Sequence, residues 1–324
     1  MSKTDKRPPG KLRLEDCYLF AIASPADLAR RLGTSVSNLE RLANAEEPYK
    51  FWTTKAGRDV EEPQPDLQRL HARIHRYLAR VQVPDYLHSP VKHRSYVTNA
   101  QAHATNQPTV KIDIRKFFQS VPRRAINRFF KEDMSCAGDV AALLGKLLSY
   151  KDHLPTGSSA SPIIAYYAFR AMFHEIAELA RAQDLVMTCY VDDITVTGSA
   201  DQGQTVRDLQ KIIGGFGLRS HKVKMFAAGS PKIITGVVVD GLAIKLPNKR
   251  HKAIADGFEE ISQATTSEDE LNALNRLVSR LHEAGMIEPS FKARARLMER
   301  RRAAVRKTAQ SRPMSNLTDT GRSV

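Results

Sequence analysis

The stretch LVMTCYVDDITVTG, residues 185–198, reads as two short β-rich runs that close on one acidic dipeptide, Asp192-Asp193. Val, Thr, Tyr and Ile dominate both runs, so each favours a pleated strand and the dipeptide falls at the tip of a hairpin. Adjacent carboxylates at a tight turn repel, and a strand offers them no helix dipole; a divalent cation is the usual counter-charge. Upstream, Thr109–Ile114 alternates, with Val110, Ile112 and Ile114 on one face and Thr109, Lys111 and Asp113 on the other. That period of two predicts a half-buried strand whose polar face presents a further carboxylate. On a neighbouring strand, Asp113 could complete a set of three.

The rest of the composition agrees with work on a polyanion. The 324 residues carry 50 Lys+Arg against 35 Asp+Glu, a net charge of +15, which suits nucleic acid better than a neutral substrate. Three carboxylates on a sheet in so basic a chain suggest two-metal phosphoryl transfer, with one ion activating a hydroxyl and the other stabilising the leaving group. Cys17, Cys136 and Cys189 are isolated, which excludes a disulfide scaffold and a cysteine zinc site and fits a cytoplasmic setting. No apolar run approaches the roughly 20 residues of a membrane helix. His71 and His75 lie one turn apart, but Ala72 stands where a metalloprotease would carry Glu. They are read as a solvated helix face.

Ser24-Pro25-Ala26-Asp27 is a capping pattern that opens a helix through Leu28 and Leu32, and after Gly33 a second helix carries Leu39 and Leu42. The spacing matches a helix–turn–helix, yet two packed helices of a larger domain explain it as well. Tyr49–Thr54 is expected as a strand, Lys55–Arg58 as its turn, and Leu67, Leu70, Ile74, Tyr77 and Leu78 as a helix ending near Val81. Ten Lys/Arg against two acidic residues crowd Ser290–Val324, and residues 1–13 form a loose basic arm. In the tail, Lys292, Arg296, Arg300 and Lys307 share one helical side while Phe291, Ala295, Met298 and Val305 share another. That pattern predicts a helix docked on one side and cationic on the other.

Tyr190-Val191-Asp192-Asp193 resembles the YxDD signature of reverse transcriptases, and KIDIRKFFQSV (111–121) resembles their first carboxylate motif. LPTGSSASP (154–162) is similar to their nucleotide loop. Asn99-Ala100-Gln101-Ala102-His103 matches the NAxxH element of retron reverse transcriptases, and Ile234-Thr235-Gly236 stands where those carry VTG. The likeness runs from about Tyr49 to Asp240 and continues more weakly to the end.

The resemblance implies an α+β right-hand polymerase fold: residues 1–48 as basic arm and N-terminal helices, 49–105 as fingers, 106–240 as an antiparallel-sheet palm, and 241–324 as a helical basic thumb. It implies two Mg²⁺ ions on Asp113, Asp192 and Asp193, with Phe118 as a gate against the ribose 2′-hydroxyl and Phe117 as the next candidate. Lys92 and Arg94 would meet the triphosphate of a dNTP. Gly157 and Ser158 would border the nucleotide, and Lys224 the pyrophosphate, with Lys222 equally placed by spacing. Asn99 and His103 would either fix a local turn or lie near RNA, and Tyr190 would either pack below the hairpin or support the primer end. Arg296, Arg300, Arg301 and Lys307 would hold RNA or be a solvated face. The implied partners are a cognate structured non-coding RNA, serving as template and as primer through an internal 2′-hydroxyl, and its branched RNA–DNA product. A separate effector protein in antiphage defence and a host ribonuclease H that removes RNA complete the expectation.

The chain departs from the family pattern at His93 (usually Gly), Thr156 (usually Gln) and Ile163 (often Asn). None of these removes a carboxylate. The rival readings are a group II intron-like or diversity-generating reverse transcriptase, a helix–turn–helix DNA-binding regulator, and an RNA-binding scaffold without catalysis.

Overall fold

The computed structural model describes residues 12–310. Helices α1 (Pro25–Arg31) and α2 (Val36–Ala43) come first, followed by a hairpin of β1 (Tyr49–Thr53) and β2 (Asp59–Pro63). Next come α3 (Pro65–Leu78), β3 (Leu87–Ser89), α4 (Tyr96–Gln101) and β4 (Thr109–Ile114). Four helices follow: α5 (Arg123–Arg128), α6 (Gly138–Leu148), α7 (Ser161–Ala168) and α8 (Arg170–Ala182). The hairpin of β5 (Val186–Tyr190) and β6 (Asp193–Thr197) leads through α9 (Gln202–Gly215) to β7 (Ser220–Phe226). A second region holds β8 (Lys232–Ile234), β9 (Val237–Asp240), β10 (Ala243–Lys245), α10 (Asn248–Ser262), α11 (Ser267–Ile287) and α12 (Phe291–Gln310).

The central sheet has the order β3-β5-β6-β4-β7. Every pairing is antiparallel except β3 with β5, which is parallel. Helix α8 packs on β5, and α9 packs on β4 and β7. Ile112, Ile114, Cys189 and Ile194 have no exposed surface and lie in one continuous core with Phe129, Phe130 and Phe173. The α1–α2 pair joins this core: Ser24 caps α1 by accepting from the Asp27 N–H, and Leu28, Leu39 and Leu42 are buried. The apolar spacing that resembled a helix–turn–helix is therefore used in packing, chiefly against α6.

A second core gathers Ile234, Val237 and Val239 with Leu274, Leu277, Leu281 and Ala295. Val97 and Ala100 of α4 belong to it as well. The segment expected as fingers thus gives β3 to the central sheet and α4 to the second core. The expected boundary at 240/241 falls in the turn between β9 and β10, inside one three-stranded sheet. Among the described residues no helix is long and apolar enough to cross a membrane. Residues 1–11 of the basic arm, and Arg312 and Arg322 of the tail, lie outside the described residues.

Thr109, on the polar face of its strand, is wholly buried, its hydroxyl bonded to Thr197 of β6 and Lys232 of β8. One local expectation changes. His71 was read as solvated and has no exposed surface. Its Nδ1 lies 2.7 Å from Ser158 Oγ and its Nε2 2.8 Å from the Leu147 carbonyl, so both ring nitrogens are bonded inside the protein.

Candidate active site

The β5–β6 hairpin closes in two residues, Val191 and Asp192, between the paired Tyr190 and Asp193. Val191 has φ 61°, the left-handed region that glycine usually fills at the first position of a type II′ turn. A β-branched residue there is strained, at a cost on the order of 1–3 kcal/mol. The turn is tied to the next strand, since the Ile114 N–H donates to the Asp192 carbonyl at 3.0 Å. Strand pairing sets Asp113 directly opposite Asp193, so the two carboxylates leave the same face of the sheet as close neighbours.

All three aspartates line one cleft of about 740 Å³. Arg58 and Val60 of the β1–β2 hairpin, Lys111, Lys116, Phe117, Phe118, Thr156, His221, Lys222, Thr235 and Gly236 form its other walls. Burial, then the neighbouring Asp113, pushes the Asp192 carboxyl up to about 6, while the Arg58 guanidinium pulls the other way. Burial also raises Asp113, opposed first by His221. Lys111 Nζ lies 2.9 Å from Asp193 Oδ2, and His221 Nδ1 lies 3.0 Å from Asp113 Oδ1. Lys222 Nζ is 4.0 Å from Asp113 Oδ2.

As the side chains stand, no group of three His, Cys, Asp or Glu among the described residues is gathered around a metal position. The donor chemistry nevertheless fits hard divalent cations. Crowded, partly buried carboxylate oxygens repel one another, and the cations now beside them are side chains able to swing away.

The model of the reverse transcriptase (RNA-dependent DNA polymerase) family matches residues 53–233, more than half of the chain and the whole carboxylate region. This chain belongs to that family. The retron Se72 reverse transcriptase of Salmonella heidelberg is 25% identical over 187 residues, covering 56% of this chain and 49% of that protein. The retron Ec86 reverse transcriptase of Escherichia coli is 25% identical over 270 residues, covering 80% of this chain and 84% of that protein. The chain thus spans about half the length of the Se72 relative and most of the Ec86 one. Among solved structures, telomerase from Candida albicans with a TWJ fragment of telomeric RNA aligns with a TM-score of 0.45 and 11% identity, covering 78% of this chain and 58% of that one.

In this family member, the cleft gathers some of the expected residues and not others. Asp113, Asp192, Asp193 and Phe118 meet there, and Phe118 stacks on the buried Phe117 with centroids 6.2 Å apart. Lys92 is exposed and does not line the cleft. Arg94 is spent on local structure. Its Nη1 donates to the carbonyls of Pro84 and Leu87 at 2.7 Å each, and its Nη2 to Asp85 at 2.7 Å. Arg58, at the end of the β1–β2 hairpin read only as a turn, lines the cleft where Lys92 and Arg94 do not.

At Gly157 the protein's own packing already demands glycine. A Cβ there would meet the Glu61 carbonyl at 2.8 Å and Glu62 Cα at 2.9 Å. Ser158 is turned inward to His71, and Thr156 and Pro162 represent this loop in the cleft. Of the two lysines, Lys222 reaches the site. A bulge opposite Ile112, marked by Lys222 at φ 52°, falls between the pairs Lys111–Lys224 and Asp113–His221. Lys224 is exposed and outside the cleft lining.

Asn99 and His103 do not form an RNA-facing surface, since both are wholly buried. His103 Nδ1 lies 2.8 Å from Thr197 Oγ1 and its Nε2 2.7 Å from Thr188 Oγ1. On α12, Phe291, Ala295 and Met298 are buried while Arg296, Arg300 and Lys307 are exposed. Arg301 is held by Glu270 of α11, with Nη2 2.6 Å from the carboxylate.

Proposed function

We propose that this chain is the RNA-directed DNA polymerase of a retron, copying a cognate structured non-coding RNA into branched, RNA-linked single-stranded DNA. The observation that carries this is the cleft itself: three carboxylates fixed by a strained turn and a cross-strand pair, ringed by Arg58, Lys111 and Lys222. The NAxxH and ITG elements and the retron relatives support the narrower part of the reading.

Asp113, Asp192 and Asp193 would hold two Mg²⁺ ions. Bound there, the ions would neutralise charge on the attacking hydroxyl and the leaving pyrophosphate. The chain's own side chains supply the rest. Arg58 and Lys222 bind the triphosphate, and the Phe118 ring occupies the space a ribose 2′-hydroxyl would need. Thr235 and Gly236 line the same cleft as the hairpin tip. In each cycle a hydroxyl oxygen bonds the α-phosphorus of a dNTP, the bond to pyrophosphate breaks, and the chain grows by one nucleotide. The first hydroxyl would be an internal 2′-OH of the RNA.

The cationic side of α12 holds RNA or the growing hybrid by its phosphates. A separate effector protein in antiphage defence, a host ribonuclease H and a cytoplasmic setting complete the proposal.

The test is to express the chain with its flanking DNA and recover short DNA from the cells. A discrete species that stays joined to RNA until the RNA is digested is the expected product. Linear DNA carrying no RNA from an otherwise active polymerase would leave a reverse transcriptase of another kind.

A further inference from the structure

The buried NAxxH element, the ITG turn and Lys232 are joined in one connected set of bonds whose free end is a wall of the catalytic cleft. Thr235 and Gly236 are the two central residues of the β8–β9 hairpin, with Ile234 paired to Val237. Their φ values are 45° and 78°, so the turn is of the type I′ kind, and a threonine at its first position is strained. The threonine hydroxyl offsets that strain. Its Oγ1 donates to the Tyr96 carbonyl at 2.7 Å and accepts from Asn99 Nδ2 in a longer contact of 3.4 Å.

Both partners sit on α4, and α4 is itself anchored to the central sheet. His103, just past its end, is bonded through both ring nitrogens to Thr188 of β5 and Thr197 of β6. Thr197 Oγ1 lies 2.8 Å from Thr109 Oγ1, and Lys232 Nζ donates to that same Thr109 oxygen at 3.0 Å. Lys232 also donates to the Thr105 and Gln107 carbonyls at 3.0 and 3.3 Å, and it is only 2% exposed. The hairpin is therefore held at its base by Lys232 and at its tip by α4. Both holds end on the strands that carry Asp113 and Asp193.

We infer that Asn99, His103 and Lys232 are positioning residues for nucleotide transfer. They set the Thr235–Gly236 turn at a fixed distance from the carboxylates, so that the strand end lying between them is presented in line, and they do so without touching RNA. This rests on the polymerase reading above. A displacement of about 1 Å in such a wall is enough to cost on the order of 100-fold in rate, and none of it need appear as lost affinity.

The experiment compares wild type, Asn99→Ala, Thr235→Val and the double variant in Mg²⁺-dependent RNA-templated dNTP incorporation. RNA affinity across a salt series and thermal stability are measured alongside. Thr235→Val is nearly isosteric and lies in a turn, so it remains informative where the buried Asn99→Ala does not fold. The expected result is a fall in kcat of about tenfold or more for Thr235→Val and a smaller fall for Asn99→Ala. The double variant should lose little beyond Thr235→Val, because both changes remove one shared bond. RNA affinity and its salt slope should stay within about twofold of wild type.

Weakened RNA binding with a flattened slope in Asn99→Ala, and kcat intact at saturating RNA, would overturn the inference in favour of direct RNA contact. Lowered thermal stability with unchanged kcat would overturn it in favour of a purely structural role. A wild-type protein that incorporates no dNTP would instead sink the polymerase reading, before any variant is compared.

Discussion

Asp113 and Asp193 face each other as direct cross-strand partners, and Lys111, two residues before Asp113 on the same strand, places its Nζ 2.9 Å from Asp193 Oδ2. One strand thus contributes a carboxylate and the cation that balances the opposing carboxylate. In a basic cleft this arrangement keeps two close anions in place and leaves a side chain, rather than backbone, to be displaced when a metal or a triphosphate arrives.

Sugar choice should rest on Phe118, which lines the cleft beside the carboxylates while Phe117 behind it is only 3% exposed. Phe118→Ala should admit ribonucleotides and raise rNTP incorporation relative to dNTP by about tenfold or more. Single-nucleotide incorporation with each substrate measures it, and an unchanged ratio would move the gate elsewhere.

The two candidate arginines of the fingers should separate by phenotype. Arg58 lines the cleft, so Arg58→Ala should raise KM for dNTP several-fold with thermal stability little changed. Arg94 binds the Pro84 and Leu87 carbonyls, so Arg94→Ala should lower thermal stability and leave KM nearly alone. Steady-state kinetics and a melting curve on both variants decide it; the reverse pattern would restore Arg94 to the triphosphate.

Acid should destabilise the protein in part through His71, which burial holds neutral and pushes down to about 4. The unfolded chain binds a proton near pH 6.5 that the folded chain refuses. The histidine's contribution is therefore complete above that pH and is lost as pH falls from about 6.5 towards 4, at up to about 1.4 kcal/mol per pH unit. The raised Asp113 and Asp192 act in the opposite sense, Asp192 from about pH 6 downward and so within the same window, and the comparison needed is therefore with His71→Gln, which cannot titrate. Urea unfolding between pH 7.5 and 5 should show the two stabilities converging as pH falls. Parallel profiles would contradict the assignment.

The strands and the hairpin were legible because their signals are local: alternation in TVKIDI, β-rich runs around the Asp pair, and a helical period in the tail. That Asp113 could lie on a strand neighbouring the Asp pair was legible too, but its register directly opposite Asp193 was not. What stayed hidden depends on contacts between distant segments. His71 looks like a surface histidine until Ser158, 87 positions away, is packed on it. Asn99 and His103 carry a recognisable motif, but nothing local tells that α4 will be buried between two sheets. The bulge that brings Lys222 rather than Lys224 to the cleft leaves no sequence mark beyond two lysines at equal claim. Arg58 was in view, but the same turn holds Lys55, and nothing local tells that Arg58 rather than Lys55 reaches the cleft.

The most direct measurement is Mg²⁺-dependent dNTP incorporation on an RNA template by wild type and Asp193→Asn, with RNA affinity measured on the same samples. The asparagine keeps the shape of the turn and removes one of the clustered charges. Incorporation should fall by several orders of magnitude while RNA affinity stays within about twofold of wild type. Near-normal incorporation by Asp193→Asn would contradict the assignment of these carboxylates to catalysis.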